Sequence, residues 1–226
     1  MSDVVGGIRA QLIDVAERLA ATRGIGAMTL REVQLESGQR NKSVVQYHFG
    51  SRDGLIGAVM DARMGPINAR RLEWLEGLGD QPDLRSLVEA LVRPLADLTV
   101  LTDSSYWARF LLQASFDPAF RGLVQASFTA SSFRSVRAGL VHRLADIPRS
   151  LRQHRVDMMV GFMLVALSTT EEARDDGRLA PTTAARHVAD LIDMCCGLLT
   201  APPSGTTPPA RAGIGLETAA SHAARH

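Results

Sequence analysis

At 226 residues the chain can bury a substantial core, as one large or two small domains. Its 46% hydrophobic and 22% charged content is that of an ordinary globular protein and speaks against a low-complexity chain. The formal net charge of +1 excludes a uniformly basic surface, so any nucleic-acid-binding face must come from local clustering.

The first helix is predicted over residues 5–22, where Ile8, Leu12, Val15, Ala16 and Leu19 recur at helical spacing. Gly24 and Gly26 end it. Thr29 opens a second, short helix, and Thr29-Leu30-Arg31-Glu32 has the spacing of a capping box. Ser37-Gly38 stops it. A third helix fits 41–48 and is broken by Gly50, after which Ser51 can cap a fourth. The fourth carries Leu55, Ile56, Val59 and Met60 on one face. Gly65-Pro66 is expected to kink or split it, because proline removes a backbone donor and crowds the preceding turn. The pattern resumes over 70–78.

Pro82-Asp83 opens the next helix, with Leu84, Leu87, Val88, Leu91 and Leu95 in register and a bend expected at Pro94. Residues 104–116 form another. Asp117-Pro118 is a helix start that can carry a single helix to 145. Residues 148–174 and 182–200 complete the set. The prediction is an all-α fold of about nine helices, since no segment offers strand alternation with hairpin turns. Residues 201–226, with Pro202, Pro203, Pro208 and Pro209, read as a disordered tail.

The informative stretch is 29–55. Two short helices joined by a glycine-containing turn form a helix-turn-helix, whose second helix enters the major groove. Residues 38–52 hold Arg40, Lys42 and Arg52 and no carboxylate, a local +3, and Lys42 is the chain's only lysine. Gln39, Asn41, Ser43, Gln46, Tyr47 and His48 are interleaved and can reach phosphates or base edges. Val44, Val45 and Phe49 can hold the helix against its neighbours.

The run Tyr47-His48-Phe49-Gly50-Ser51-Arg52-Asp53-Gly54-Leu55, behind a Thr-led helix and a glycine turn, resembles the TetR family of transcriptional regulators. The close match covers about the first quarter of the chain. It implies a DNA-binding domain over 1–53 and a helical ligand-binding and dimerisation domain over 54–200. Thr29, Tyr47 and Arg52 resemble the family's phosphate contacts. Arg40, Asn41, Lys42, Ser43 and Gln46 occupy the start and exposed face of the recognition helix. Two departures stand out. The segment 38–49 is one residue longer than the commonest family spacing, and Gln34 sits where the family usually has a small residue.

The family usually places a ligand between the later helices, and Trp107, Phe110, Leu111, Phe128, Met159, Phe162 and Met163 are the candidate lining of a cavity for a small apolar effector. Residues 158–167 are apolar nearly all round, so that helix needs two partners. One face can serve the core. The other suits a homodimer interface with the last helix, where Val188, Leu191, Ile192, Met194 and Leu198 supply apolar surface.

Enzymatic patterns are not found. No two histidines lie at i, i+4, no Cys/His run has zinc spacing, and no glycine-rich phosphate loop occurs. No metal or cofactor is expected. Glu171-Glu172 and Asp175-Asp176 read as a solvated helix end. Adjacent Cys195 and Cys196 suit a reduced setting, and with no targeting segment or bilayer-length apolar run a cytoplasmic protein is expected. The reading is a homodimeric repressor on a pseudo-palindromic DNA site, released by a small apolar ligand. The alternative is a ligand-independent regulator controlled by a protein partner or by abundance.

Overall fold

The computed structural model describes residues 2–128 and 131–203, with the side chains of residues 2–6 and 126–130 outside that description. Among the described residues there are ten α-helices and no strand. They are α1 (Ser2–Arg23), α2 (Leu30–Glu36), α3 (Val44–Phe49), α4 (Arg52–Gly77), α5 (Leu84–Asp97), α6 (Trp107–Phe116), α7 (Arg121–Phe128), α8 (Ser131–Arg143), α9 (Arg149–Asp175) and α10 (Pro181–Thr200).

The count exceeds nine because the helix expected over 118–145 is two. Asp117 Oδ1 accepts the backbone N–H of Ala119 at 2.9 Å, and Phe120 N–H bonds Asp117 O at 3.1 Å. These bonds close a turn, and α7 begins only at Arg121. α7 ends at Phe128, and α8 begins at Ser131.

Three other boundaries are sharpened. The capping box forms: Thr29 Oγ1 accepts from Glu32 N–H at 3.2 Å, and Glu32 Oε2 accepts from Thr29 N–H at 2.9 Å. The Thr29 hydroxyl also donates to Glu32 Oε2 at 2.8 Å, and this bond, ahead of the one from Thr29 N–H, holds the Glu32 carboxyl below its ordinary pKa. The third helix starts at Val44 rather than 41. Asn41 Oδ1 accepts from Ser43 N–H at 2.9 Å, and this local turn competes with helix at 41–43. Finally, α4 runs unbroken through Pro66. The carbonyl that proline leaves without a donor belongs to Ala62, which borders an open cavity together with Pro66, so solvent can satisfy it.

One continuous apolar core runs from Leu12 on α1 to Leu199 on α10. Helix α1 packs on both α4 and α6, α5 lies between α4, α8 and α10, and α9 packs against α6, α8 and α10. Glu171 of α9 is 2% exposed and caps α6: its carboxylate accepts from the N–H groups of Ala108 (3.1 Å) and Arg109 (3.0 Å) and from Arg109 Nε (3.2 Å). A carboxylate at a helix N-terminus satisfies orphan donors and opposes the helix dipole. Glu171 is therefore a buried structural acid, where a solvated helix end was expected.

Candidate nucleic-acid interface

Helix α3 is short, so tertiary packing must hold it. Val44 and Val45 are buried, and Phe49 is half-buried beneath the Arg9 guanidinium, 5.4 Å from its ring centroid. Burying each valine contributes about 1.5–3 kcal/mol. The turn before α3 is tied by glutamines. Gln34, only 8% exposed, donates to Gln39 O; Gln39 Nε2 donates to Gln11 Oε1 at 3.0 Å; Gln11 Nε2 donates to Ser37 O at 3.1 Å. Gln34 thus uses its length to bridge the turn that carries the extra residue. Gly38 at the start of that turn has φ +67°, a left-handed conformation suited to glycine.

This packing leaves Thr29, Arg40, Asn41, Lys42, Ser43, Gln46 and Tyr47 exposed. Tyr47 is 82% exposed, with its ring edge-on to His48 at 5.2 Å. Arg40 and Lys42 stand in the approach to α3 rather than on it. Gln46 Nε2 bonds Gly50 O at the end of its own helix. Among the described residues, Arg40 and Lys42 form no ion pair, so both charges are available to a polyanion.

Arg52 stands apart from the other seven. Its Nε donates to Met28 O at 3.1 Å, its Nη2 donates to Ile25 O, and its guanidinium lies 5.3 Å from the Phe120 ring centroid. The guanidinium is bonded inward because two bare carbonyls of the α1–α2 loop face it. Gln113 of α6 holds the same loop: its Oε1 accepts from Ile25 N–H at 2.7 Å and its Nε2 donates to Ala21 O at 3.1 Å. Neither Phe120 nor Gln113 was found from the sequence, since no local pattern ties residues so far apart along the chain.

The last glycine of the 47–55 run has a steric explanation. A Cβ on Gly54 would stand 2.1 Å from Phe49 O. Ser51 Oγ accepts from Gly54 N–H at 3.0 Å and caps α4. Only glycine lets α4 start this close to the end of α3.

The seven expected ligand-lining residues do not converge on one cavity. Trp107, Phe110, Leu111, Met159 and Met163 are buried in the core, Trp107 stacking on Phe110 with centroids 5.3 Å apart. Phe162 is half-buried, and the Phe128 side chain lies outside the described residues. Trp107 alone of the seven borders one of the described cavities, of about 220 Å³, with Glu17, Arg63 and Pro66. Its indole N–H is buried without a partner. Helix packing claimed the other side chains because each apolar face has a facing helix.

The intended dimer surface also divides. Val188, Leu191 and Ile192 are buried in the chain's own core. Met158, Val165 and Met194 remain 52%, 43% and 43% exposed, and Leu198 is half-buried. Among the described residues no helix is long and apolar enough to cross a membrane. The same residues hold no cluster of potential metal ligands.

An all-α body carrying an exposed basic helix-turn-helix at one end defines a DNA-binding regulator class. The family described as "Tetracyclin repressor-like, C-terminal domain" matches residues 89–197. This match and the fold together support a TetR-type DNA-binding transcriptional regulator. The fold resembles that of a protein assigned to this family from Shewanella sp. PV-4, at 14% identity and TM-score 0.58 over 84% of this chain and 96% of that one. A TetR-like transcriptional regulator from Rhodococcus sp. RHA1 is similar at 18% identity and TM-score 0.54, covering 85% and 93%. AmtR of Mycobacterium smegmatis is similar at 16% identity and TM-score 0.51, covering 86% and 96%. No curated protein matches the chain.

Proposed function

We propose that the chain is a repressor that binds a pseudo-palindromic DNA site as a homodimer and leaves it when a small ligand binds. The observation that carries the DNA contact is the exposed row of Arg40–Ser43 in the approach to α3 and Gln46 and Tyr47 on it, the helix being anchored from behind by Val44 and Val45. Arg40, Lys42, Thr29 and Tyr47 take phosphates in this reading. Asn41, Ser43 and Gln46 face base edges. Residues 1–53 act as the reading head and 54–200 as the body. Two-fold symmetry then places half-sites about 34–36 Å apart, or a further turn away.

The outward stripe of Met158 and Val165 on α9 with Met194 on α10 supports a dimer through these two helices. A partner's matching helices would make a four-helix contact. Ligand release requires that the ligand prefer the conformation whose reading heads do not fit DNA. A second reading, control by a partner protein or by abundance, is favoured by the close packing of Phe110, Leu111, Met159 and Met163, which closes the expected apolar cavity.

The test is a gel shift against the DNA that flanks the gene, searched for an inverted repeat. Lys42→Ala with Tyr47→Ala should abolish the specific shift while circular dichroism stays helical. Undiminished affinity in the folded double variant removes this assignment.

A further inference from the structure

Arg71 on α4 is a buried cation without a counter-charge. It is 3% exposed, and among the described residues no carboxylate lies within ion-pair distance. Its Nη1 donates to Asn68 Oδ1 at 2.8 Å, and its Nε is buried without a partner. Ser132 Oγ, itself 1% exposed, also donates to Asn68 Oδ1, at 3.3 Å. The neighbours are thus neutral, and the spare capacity on the guanidinium is for donating. Burial pushes Arg71 down to about 10, as expected for a charge that nothing compensates.

A buried, unpaired guanidinium is costly, and one amide and one ring do not offset the loss of water. The ring is Phe133 on α8, whose centroid lies 5.8 Å from the guanidinium carbon. Phe133 is also a wall of an open groove of about 580 Å³ among α6, α7, α8 and α9. Phe116, Val160 and Leu164 give that groove an apolar lining, and Phe116 is 70% exposed. Arg134 and Arg137 stand on its rim against one acid, Asp157, which Arg137 already pairs at 2.8 Å. The groove therefore carries a net positive charge, with a second positive charge one ring behind its wall. Its volume suits a small ligand.

We propose that the effector is an amphipathic carboxylate whose hydrocarbon part lies in this groove and whose carboxylate reaches past Phe133 to pair with Arg71. A carboxylate can accept two parallel bonds from a guanidinium, which matches the free donors on Arg71. The inference rests on the reading of a ligand-released regulator and changes its effector from apolar to anionic. It also supplies a route to DNA, because Arg71 sits on α4, whose first turn follows the recognition helix.

The experiment is titration of the full chain with decanoate, below its micelle concentration, followed by tryptophan fluorescence and calorimetry. Decanol and decylammonium serve as probes of the same length without the negative charge. Saturable decanoate binding at least tenfold tighter than either is expected. Arg71→Met should lose at least tenfold in decanoate affinity and none for decanol. Arg71→Lys, which keeps the charge and loses the fork, should fall between, and it keeps the question open to test if the methionine variant does not fold. Equal binding of decanoate and decanol, no saturable binding of decanoate, or unchanged decanoate affinity in both variants overturns the proposal. Operator binding by the unliganded chain is measured separately. A chain that binds DNA and ignores carboxylates sinks this inference alone, whereas one that binds decanoate and never DNA sinks the regulator reading.

Discussion

Gln113 on α6 accepts a hydrogen bond from the backbone N–H of Ile25 at 2.7 Å, across 88 residues of sequence. The same side chain donates to Ala21 O, so one amide stitches the end of α1 and the loop before α2 to the body. With Arg52 bonded to Ile25 O and Met28 O, the reading head hangs on the α6–α7 region by side chains that satisfy loop backbone groups. Any displacement of α6 is thereby felt at the start of the helix-turn-helix.

Gln113→Ala should leave the N–H of the buried Ile25 unpaired. The expected cost is about 1–3 kcal/mol of stability, concentrated in the reading head. Hydrogen exchange reads it directly: the Ile25 amide should exchange at least tenfold faster while amides in α9 and α10 keep their protection. Unchanged exchange at Ile25 contradicts the linkage.

Arg40 and Arg52 should part company in salt titrations of DNA binding. Removing a phosphate contact lowers the slope of log affinity against log salt by about one. Arg40→Ala is expected to show that loss. Arg52→Met should lower the melting temperature and leave the slope as in the parent. A reduced slope in the Arg52 variant would return it to the phosphate backbone.

Gly54→Ala places a methyl group where Phe49 O stands 2.1 Å away. Backbone must shift, with an expected cost of about 1–3 kcal/mol and loss of specific DNA binding. Gly57, one turn on, meets only Leu123 at 3.9 Å, and Gly57→Ala should be neutral or stabilise by about 0.5–1 kcal/mol through helix propensity. Denaturant melts of the two variants give the comparison, and similar midpoints would argue against the close approach.

Cys195 is fully buried, and burial pushes its thiol from 9.0 up to about 12. The neutral thiol is thus favoured in the folded chain. Its contribution to stability is intact below pH 9 and is lost as pH rises from there towards 12, because the unfolded chain ionises first. The unfolding constant should rise by up to about tenfold per pH unit in that window. Cys195→Ala should flatten the dependence, and identical pH profiles for the two chains would refute it. At pH 8 the native Cys195 should also resist alkylation until denaturant is added.

Local order was legible in the sequence. The capping box at Thr29, the serine cap at Ser51 and the glycine stops act over three or four residues, so residue order alone encodes them. The same holds for the apolar periodicity that buries Leu12, Leu55 and Leu91, and for the acid-free run that leaves Arg40 and Lys42 exposed. The boundaries that moved did so through side-chain bonds to backbone, as Asn41 shortens α3 and Asp117 delays α7.

Tertiary structure alone decided what each long-range polar side chain does. Arg40 and Arg52 are both basic residues of one acid-free run, and only packing against Phe120 and the loop carbonyls turns Arg52 inward. Glu171 looked like one of four surface acids until α6 set its first N–H groups upon it. Phe110 and Met159 could have lined a cavity, and the facing helices packed them into the core. No local pattern sets Arg71 apart from the other arginines, and the closure of α8 over α4 buries it beside Asn68 and Phe133 with no acid to pair. Hydrophobic periodicity specifies that a face is buried, whereas the partner of a buried charge depends on which helices meet. That meeting is set by the whole chain.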